Sequence, residues 1–169
     1  MHAGCERFAP RSAWEQGKNG VSWGVMMEEK KQVARIMVVD DEAVARVSLA
    51  EVLRLEGYEV ATAASGEEAL SLLNKSAPFD LIVLDLKMPG IDGLEVTEMV
   101  RQHSPGTVII LLTAFGTLET AIQAIRQGAH DYLLKPCPIP EILESVRRGL
   151  AKRQQERQRQ HLVSQLKQT

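Results

Sequence analysis

Apolar and polar positions alternate in blocks along the chain from residue 34 onward. Five short runs rich in Val, Ile and Leu lie within residues 35–40, 58–63, 80–85, 107–113 and 130–135. The third run is apolar at every position from Leu81 to Leu84, which is typical of a strand buried on both faces of a sheet. The pattern therefore predicts five β-strands.

Helical periodicity fills the intervals between these runs, with apolar residues three and four positions apart. The predicted buried faces are Ala45, Leu49, Val52 and Leu53; Ala69, Leu72 and Leu73; Val96, Met99 and Val100; Leu118, Ala121, Ile122 and Ile125; and Ile139, Ile142, Leu143, Val146 and Leu150. Ser65 and Glu68 fit a capping box, and Asp92 is placed to cap the third helix. Five helices are therefore predicted, one after each strand.

Strict alternation of strands and helices predicts an α/β protein, with a doubly wound parallel sheet covered on both faces. Right-handed crossovers leave few ways to wind five such units. We expect a flavodoxin-like (βα)5 fold with strand order 2-1-3-4-5. In such sheets ligands bind outside the carboxyl ends of the strands, so the residues that follow each strand matter most.

Charged and hydroxyl side chains follow four of the predicted strands. Asp40 and Asp41 end the first, Asp85 the third, Thr113 the fourth and Lys135 the fifth. Strand order 2-1-3-4-5 brings these ends together. Two carboxylates about 4 Å apart repel by roughly 4 kcal/mol at an effective dielectric constant of 20. A bound cation relieves that repulsion, and oxygen ligands without His or Cys suit Mg²⁺.

These residue types also form the set needed for phosphoryl transfer. A carboxylate acts as the nucleophile, and a cation with an ammonium group neutralises the phosphoryl oxygens. Each residue has a purely structural explanation as well. Asp40 and Asp41 are placed to cap the first helix, Asp85 to begin a turn, and Lys135 to be solvated. Their coincidence at the ends of neighbouring strands favours the chemical interpretation.

Four segments carry a specific family resemblance. "VVDDE" (38–42), "LIVLDLKMPGIDGLE" (81–95), "LLTAFG" (111–116) and "DYLLKP" (131–136) resemble the motifs of the two-component response-regulator receiver domain, over about residues 34–150. Residues 112–136 look most like receivers attached to sigma-54-dependent activators. The resemblance implies that Asp85 is the phosphoacceptor, taking a phosphoryl group from a histidine kinase or a phosphotransfer protein.

The resemblance also implies a metal site beside the phosphoacceptor. Asp41, Asp85 and the backbone carbonyl of Lys87 would ligate Mg²⁺ directly, and Asp40 would act through water. Lys87 and Phe115, two residues past Asp85 and Thr113, would border the path of the attacking water. A long side chain and an aromatic ring there predict slow autodephosphorylation.

A conformational switch is the third implication of the resemblance. Thr113 would bond one phosphoryl oxygen and shift inward, and Lys135 would pair with another. Tyr132 would change its burial together with Thr113, and the Lys135–Pro136 peptide bond would be cis. The response would appear on the face formed by the fourth helix, the fifth strand and the fifth helix. We expect any homodimer to form through that face. Gly116 is expected to give the loop after Thr113 backbone freedom.

Composition places further bounds on the chain. Its 169 residues carry net charge −2, and the two cysteines, Cys5 and Cys137, form no CxxC pair, which favours a reducing cytoplasmic setting. No apolar stretch is long enough to span a membrane. Residues 1–32 lack periodicity and predict a disordered leader, followed by a receiver domain at 33–150. His103 and His130 are expected at the surface, with no relay role.

The C-terminal segment differs in character from the rest of the chain. Residues 145–169 hold seven Lys or Arg and a single Glu, and residues 152–161 contain no apolar position. Residues 151–169 are therefore expected to be a solvated basic extension of the fifth helix or a truncated linker. The protein is then either a stand-alone receiver or a fragment of a longer regulator. Direct binding of nucleic acid is not expected, because the whole chain is mildly acidic.

Three other functional classes remain to be weighed. An aspartate-nucleophile phosphatase typically carries Asp-x-Asp, whereas Lys87 occupies the second slot here. A phosphorylation-independent scaffold with a receiver fold would be marked by loss of a pocket residue, and none is lost. A flavin-binding protein of similar winding would need a phosphate-binding Gly or Ser cluster in its first loop, which reads "DDEAV" instead.

Overall fold

The computed structural model describes residues 32–168, which form five strands and five helices. The strands are β1 (Arg35–Val39), β2 (Glu59–Ala63), β3 (Leu81–Leu84), β4 (Val108–Thr113) and β5 (Asp131–Leu134). The helices are α1 (Ala43–Leu55), α2 (Gly66–Lys75), α3 (Gly93–His103), α4 (Leu118–Arg126) and α5 (Ile139–Lys167). The leader predicted for residues 1–32 lies outside the described residues, apart from Gln32.

All strand pairs are parallel, and the sheet order is β2-β1-β3-β4-β5. The predicted α/β doubly wound fold is therefore confirmed. Val39 is in register with Leu84, and Leu84 with Leu111. The residues that follow β1 and β3 are consequently neighbours at the carboxyl edge of the sheet.

The core consists of two layers, one on each face of the sheet. Alternate strand residues enter each layer, as the pleat requires. One layer contains Met37, Val39, Ile82, Leu84, Ile109 and Leu111 and is covered by α2, α3 and α4. The other contains Ile36, Val38, Leu81, Val83, Val108 and Ile110 and is covered by α1 and α5. Every position of β3 and β4 is buried, which explains their unbroken apolar runs.

Two of the predicted helix caps are present, with one difference in detail. Asp92 and Glu95 form a complete capping box at the start of α3. At α2, Ser65 accepts a hydrogen bond from the Glu68 N–H, as predicted. The Glu68 carboxylate, however, accepts from the Ala64 N–H at 2.8 Å and not from Ser65. The reciprocal half of that cap is therefore displaced by one residue.

The predicted buried face of α4 is wrong. Leu118, Ile122 and Ile125 are 78%, 44% and 58% exposed, and Ala124 is the residue of this helix that is buried. The helix approaches the sheet through small side chains, so its larger apolar groups point outward. Met99 and Ile139, also predicted to be buried, are likewise exposed. Periodicity identifies an apolar stripe but does not show which partner covers it.

Helix α5 has two parts with different surroundings. Ile142, Leu143 and Val146 pack on the sheet, whereas the side chains after Leu150 are exposed apart from Arg153. The Arg153 Nε donates to Asp80 Oδ1 at 3.0 Å, and Arg157 lies 3.5 Å from the same atom.

None of the helices formed by residues 32–168 combines the length and apolar character needed to cross a bilayer.

Candidate functional site

Three carboxylates gather at the carboxyl edge of the sheet. Asp40 and Asp41 follow β1, and Asp85 follows β3; carboxylate oxygens of all three lie within 4.8 Å of one another. Asp40 and Asp85 are buried, being 6% and 9% exposed, whereas Asp41 is exposed. The in-register pairing of the two strands brings Asp40 and Asp85 to the same edge of the sheet, as neighbours.

Lys135 reaches the cluster from the end of β5. Its Nζ lies 2.6 Å from Asp40 Oδ2 and 3.5 Å from Asp85 Oδ2. The Lys135–Pro136 peptide bond is cis. Burial disfavours the charged amine, but the hydrogen bond and charge of Asp40, joined by Asp85, outweigh it and raise the pKa of Lys135. The ammonium form is therefore held firmly in the pocket.

Burial and the Lys135 ammonium act on the Asp85 carboxylate in opposite directions. Burial raises its pKa above the ordinary value, Lys135 opposes that rise, and the charge of Asp40 adds to it. Thr113 also acts to lower this pKa, although no hydrogen bond of standard geometry joins the two side chains. The Oδ1 atom of Asp85 is buried and has no hydrogen-bond partner among residues 32–168. One carboxylate oxygen is thus available for a ligand.

Asp40 is a pocket residue, but it does not cap α1 as the sequence had suggested: the N-cap is Glu42, whose own side chain makes no capping hydrogen bond to the described part of the chain. Its Oδ1 accepts a hydrogen bond from the Glu42 N–H at 2.9 Å, at the start of α1. Its backbone carbonyl accepts from Arg46 Nη1 at 2.7 Å, and its Oδ2 accepts from Lys135. One side-chain oxygen of Asp40 thus bonds the turn before α1, and the other bonds the pocket lysine.

Thr113 and Tyr132 lie on neighbouring strands, and both are engaged. Thr113 is buried, and its Oγ1 accepts a hydrogen bond from the Phe115 N–H at 3.1 Å. The Tyr132 hydroxyl is 2.8 Å from Thr120 Oγ1 on α4, and the ring packs half-buried against the core. This bond joins β5 to α4, and no pattern in the sequence predicts it.

Gly116 serves close packing rather than the expected backbone freedom. It is not among the glycines with positive φ, which are Gly57, Gly90 and Gly128. A Cβ added at Gly116 would lie 2.8 Å from the Tyr132 hydroxyl oxygen and would also meet Leu134. The absence of a side chain lets the loop after β4 pass close to β5.

Lys87 and Phe115 are exposed beside the acidic cluster. Their side chains are in contact, with the Lys87 ammonium above the Phe115 ring. His103 is exposed, as predicted. His130 is half-buried, which corrects its assignment to the surface, and burial is the main cause of its lowered pKa.

The donor set fits a hard divalent cation. Three carboxylates supply oxygen atoms, and one oxygen of Asp85 is buried without a partner. Lys135 gives one positive charge against three negative ones. Oxygen ligands of this kind are those that Mg²⁺ prefers. Arg46 is a neighbour of the site that the sequence analysis missed. Its side chain donates a hydrogen bond to the Asp40 backbone carbonyl, and such a contact leaves no recognisable pattern in the sequence.

Comparisons with known proteins agree with this geometry. The family model described as "Response regulator receiver domain" matches residues 36–147. The chain is 36% identical over 130 residues to the regulatory protein AtoC of Escherichia coli, covering 77% of this chain and 28% of that protein. It is 37% identical to sporulation initiation phosphotransferase F of Bacillus subtilis, covering 74% of this chain and 96% of that protein. The chain thus spans about a quarter of the larger regulator and nearly all of the smaller protein.

Solved structures give the same result. A CheY-like response regulator receiver domain from Methanospirillum hungatei superimposes with a TM-score of 0.71 at 31% identity, covering 73% of this chain and 98% of that one. The resemblance noted from the four motifs is confirmed by sequence and by fold. The chain therefore belongs to the response regulator receiver domain family, the receiver modules of two-component signalling.

Proposed function

We propose that Asp85 is the phosphoacceptor of this receiver. The observation that carries the proposal is the state of its side chain: it is buried, its Oδ1 has no partner within residues 32–168, and its Oδ2 lies 3.5 Å from the Lys135 ammonium. A free carboxylate oxygen beside a fixed cation is suited to attack a phosphorus atom. Retention of every pocket residue favours this function over a phosphorylation-independent scaffold.

Asp41, Asp85 and the backbone carbonyl of Lys87 would hold Mg²⁺, with Asp40 contributing through water. When bound, Mg²⁺ supplies positive charge that offsets the carboxylates and the phosphoryl oxygens. Support for this assignment comes from the clustering of the three carboxylates and from their all-oxygen chemistry. Asp40 also orients the Lys135 ammonium, since Asp40 Oδ2 and Lys135 Nζ are only 2.6 Å apart.

Thr113 and Lys135 would each bind an oxygen of the phosphorylated Asp85. Binding of a phosphoryl oxygen by Thr113 would change the hydrogen bond that Thr113 Oγ1 accepts from the Phe115 N–H. The loop that contains Phe115 also contains Gly116, which lies close to Tyr132. The Tyr132–Thr120 hydrogen bond would carry that change to α4. The exposed apolar face of α4, with β5 and α5, would then be the surface that responds and that mediates any homodimer.

The phosphoryl donor would be a histidine kinase or a phosphotransfer protein in the cytoplasm. We assign the receiver to residues 33–150 and the basic extension of its last helix to 151–169. Catalysis by the chain would be limited to its own phosphorylation and dephosphorylation. Nucleic acid is not a proposed ligand, because four basic residues of α5, namely Arg147, Arg148, Arg153 and Arg157, are paired with acidic groups.

The test uses a small phosphodonor. Incubation of the full chain with acetyl phosphate and Mg²⁺ should add one phosphoryl group, detected by intact mass spectrometry. Asp85→Asn should remain unmodified, whereas Asp92→Asn, an equal change seven residues away at a helix cap, should be modified like the parent. Modification of Asp85→Asn to the same extent would refute the assignment.

A further inference from the structure

The segment that follows Asp85, residues 86–92, is held at two places. We call it the β3–α3 loop. At its start, the Leu86 carbonyl accepts a hydrogen bond from the Gly93 N–H at 2.7 Å. At its far end, the Ile91 N–H donates to Glu67 Oε1 at 3.2 Å. Lys87 lies between these two hydrogen bonds, directly after the first.

The first turn of α2 is built to reach this loop. A Cβ added at Gly66 would lie 2.9 Å from the Ile91 carbonyl oxygen and 2.8 Å from a Val96 methyl group, so a larger residue would push the helix away. The next residue, Glu67, accepts the Ile91 N–H, and its carboxylate also lies against Gly90. Glu67 is exposed, and the loop groups that its carboxylate contacts belong to the backbone.

We infer that Glu67 is a positioning residue for the metal site, because it fixes the β3–α3 loop that carries the Lys87 carbonyl. This inference rests on the proposed function, in which that carbonyl is a ligand of Mg²⁺. Mg²⁺ requires near-ideal octahedral geometry, so a loop that moves weakens its binding. Residues that orient ligands contribute strongly to metal affinity. Glu67 does not contact a proposed metal ligand directly; it acts through its hydrogen bond to the Ile91 backbone.

The hydrogen bond needs an acceptor at a particular distance rather than a negative charge. Three substitutions separate these possibilities. Glu67→Ala removes the acceptor, Glu67→Asp keeps the charge but withdraws the oxygen by one methylene, and Glu67→Gln keeps an oxygen within reach without the charge. Glu68→Ala is the matched control, because Glu68 lies in the same helical turn but bonds Ala64 instead of the loop.

The primary readout is Mg²⁺ binding to the unphosphorylated full chain, measured by titration with MgCl₂ and NMR. We expect Glu67→Ala and Glu67→Asp to raise the dissociation constant about fivefold, and Glu67→Gln and Glu68→Ala to leave it near the parent value. Hydrogen exchange of the Ile91 amide should become faster in the first two variants only. Phosphorylation by acetyl phosphate at saturating Mg²⁺ should be similar in all four.

Two results would overturn the inference. If Glu67→Asp binds Mg²⁺ like the parent while Glu67→Gln does not, Glu67 acts through its charge and not by positioning. If Glu67→Ala equals Glu68→Ala in both readouts, Glu67 has no role at the site. Failure of the proposed function is recognised separately, because the parent chain itself would then neither bind Mg²⁺ nor take up a phosphoryl group.

Discussion

The Lys87 ammonium lies 5.0 Å from the centroid of the Phe115 ring, a cation–π contact between the loops that follow β3 and β4. Both residues are two positions beyond proposed functional residues, Asp85 and Thr113. The contact joins the two loops, and we expect it to restrict the approach of water to Asp85 once that residue is phosphorylated. Its exposure makes it accessible to substitution without disturbing the core.

Removal of this contact should speed the loss of the phosphoryl group. We expect Phe115→Ala to shorten the half-life of the phosphorylated protein several-fold, because the ring no longer shields the site or holds Lys87. Decay is measured by intact mass spectrometry after removal of acetyl phosphate. Leu118→Ala, which removes another exposed apolar side chain near the loop, serves as control and should leave the decay unchanged. A half-life of seconds for the parent chain would argue against shielding.

Replacement of Asp85, the proposed phosphoacceptor, should stabilise the metal-free protein. Burial and the charge of Asp40 disfavour the Asp85 carboxylate, so Asp85→Asn removes an unfavourable charge at pH 7. We expect the free energy of unfolding to rise by about 1 kcal/mol, corresponding to a Tm increase of roughly 4 °C. The measurement is thermal unfolding in EDTA.

The same variant should lose the response to Mg²⁺. At a concentration ten times its dissociation constant, Mg²⁺ should stabilise the parent chain by about 1.4 kcal/mol, because it binds only the folded state. Asp85→Asn lacks a ligand and should gain far less. Equal stabilisation of both proteins by Mg²⁺ would mean that the cation binds elsewhere.

Addition of a methyl group at Gly116 should disturb the connection between β5 and α4. The new Cβ would meet a Leu134 methyl group most closely and would lie 2.8 Å from the Tyr132 hydroxyl oxygen, which is bonded to Thr120. We expect Gly116→Ala to lower the free energy of unfolding by about 1–3 kcal/mol, measured by urea unfolding. The double variant with Tyr132→Phe should recover part of that loss, because the hydroxyl oxygen is gone. Simple additivity of the two changes would show that the residues are not coupled.

His130 should make the protein less stable in mild acid. Burial lowers its pKa; Asp131 opposes this, while Lys152 and Arg148 reinforce it. The neutral ring therefore stabilises the fold above the unfolded pKa of about 6.5, and that contribution is lost as pH falls through the lower folded value. We expect the loss of unfolding free energy between pH 7 and pH 5 to be smaller in His130→Gln than in the parent.

The sequence predicts the sheet and the acidic cluster because both depend on strand ends. An apolar run such as Leu81–Leu84 leaves no solvent-facing position, and the acid after it must emerge at the sheet edge. The outward face of α4 was not predictable from periodicity, since Leu118 and Ile122 follow the spacing of buried residues. Contacts such as Tyr132–Thr120 and Glu67–Ile91 depend on the reach of side chains between separate loops, which no local period encodes.

The attachment of α5 at Asp80 has a mechanical consequence. Asp80 Oδ2 accepts a hydrogen bond from the Arg35 N–H at the start of β1, while Oδ1 bonds Arg153 and lies near Arg157. The exposed part of the helix therefore leaves the sheet along a direction set by the strands themselves. From Arg153 to Lys167 it extends about 21 Å at 1.5 Å per residue. Any group joined to Lys167 in continuous helix would move with the sheet. A small change in the angle of α5 at Asp80 would therefore produce a larger displacement of that group.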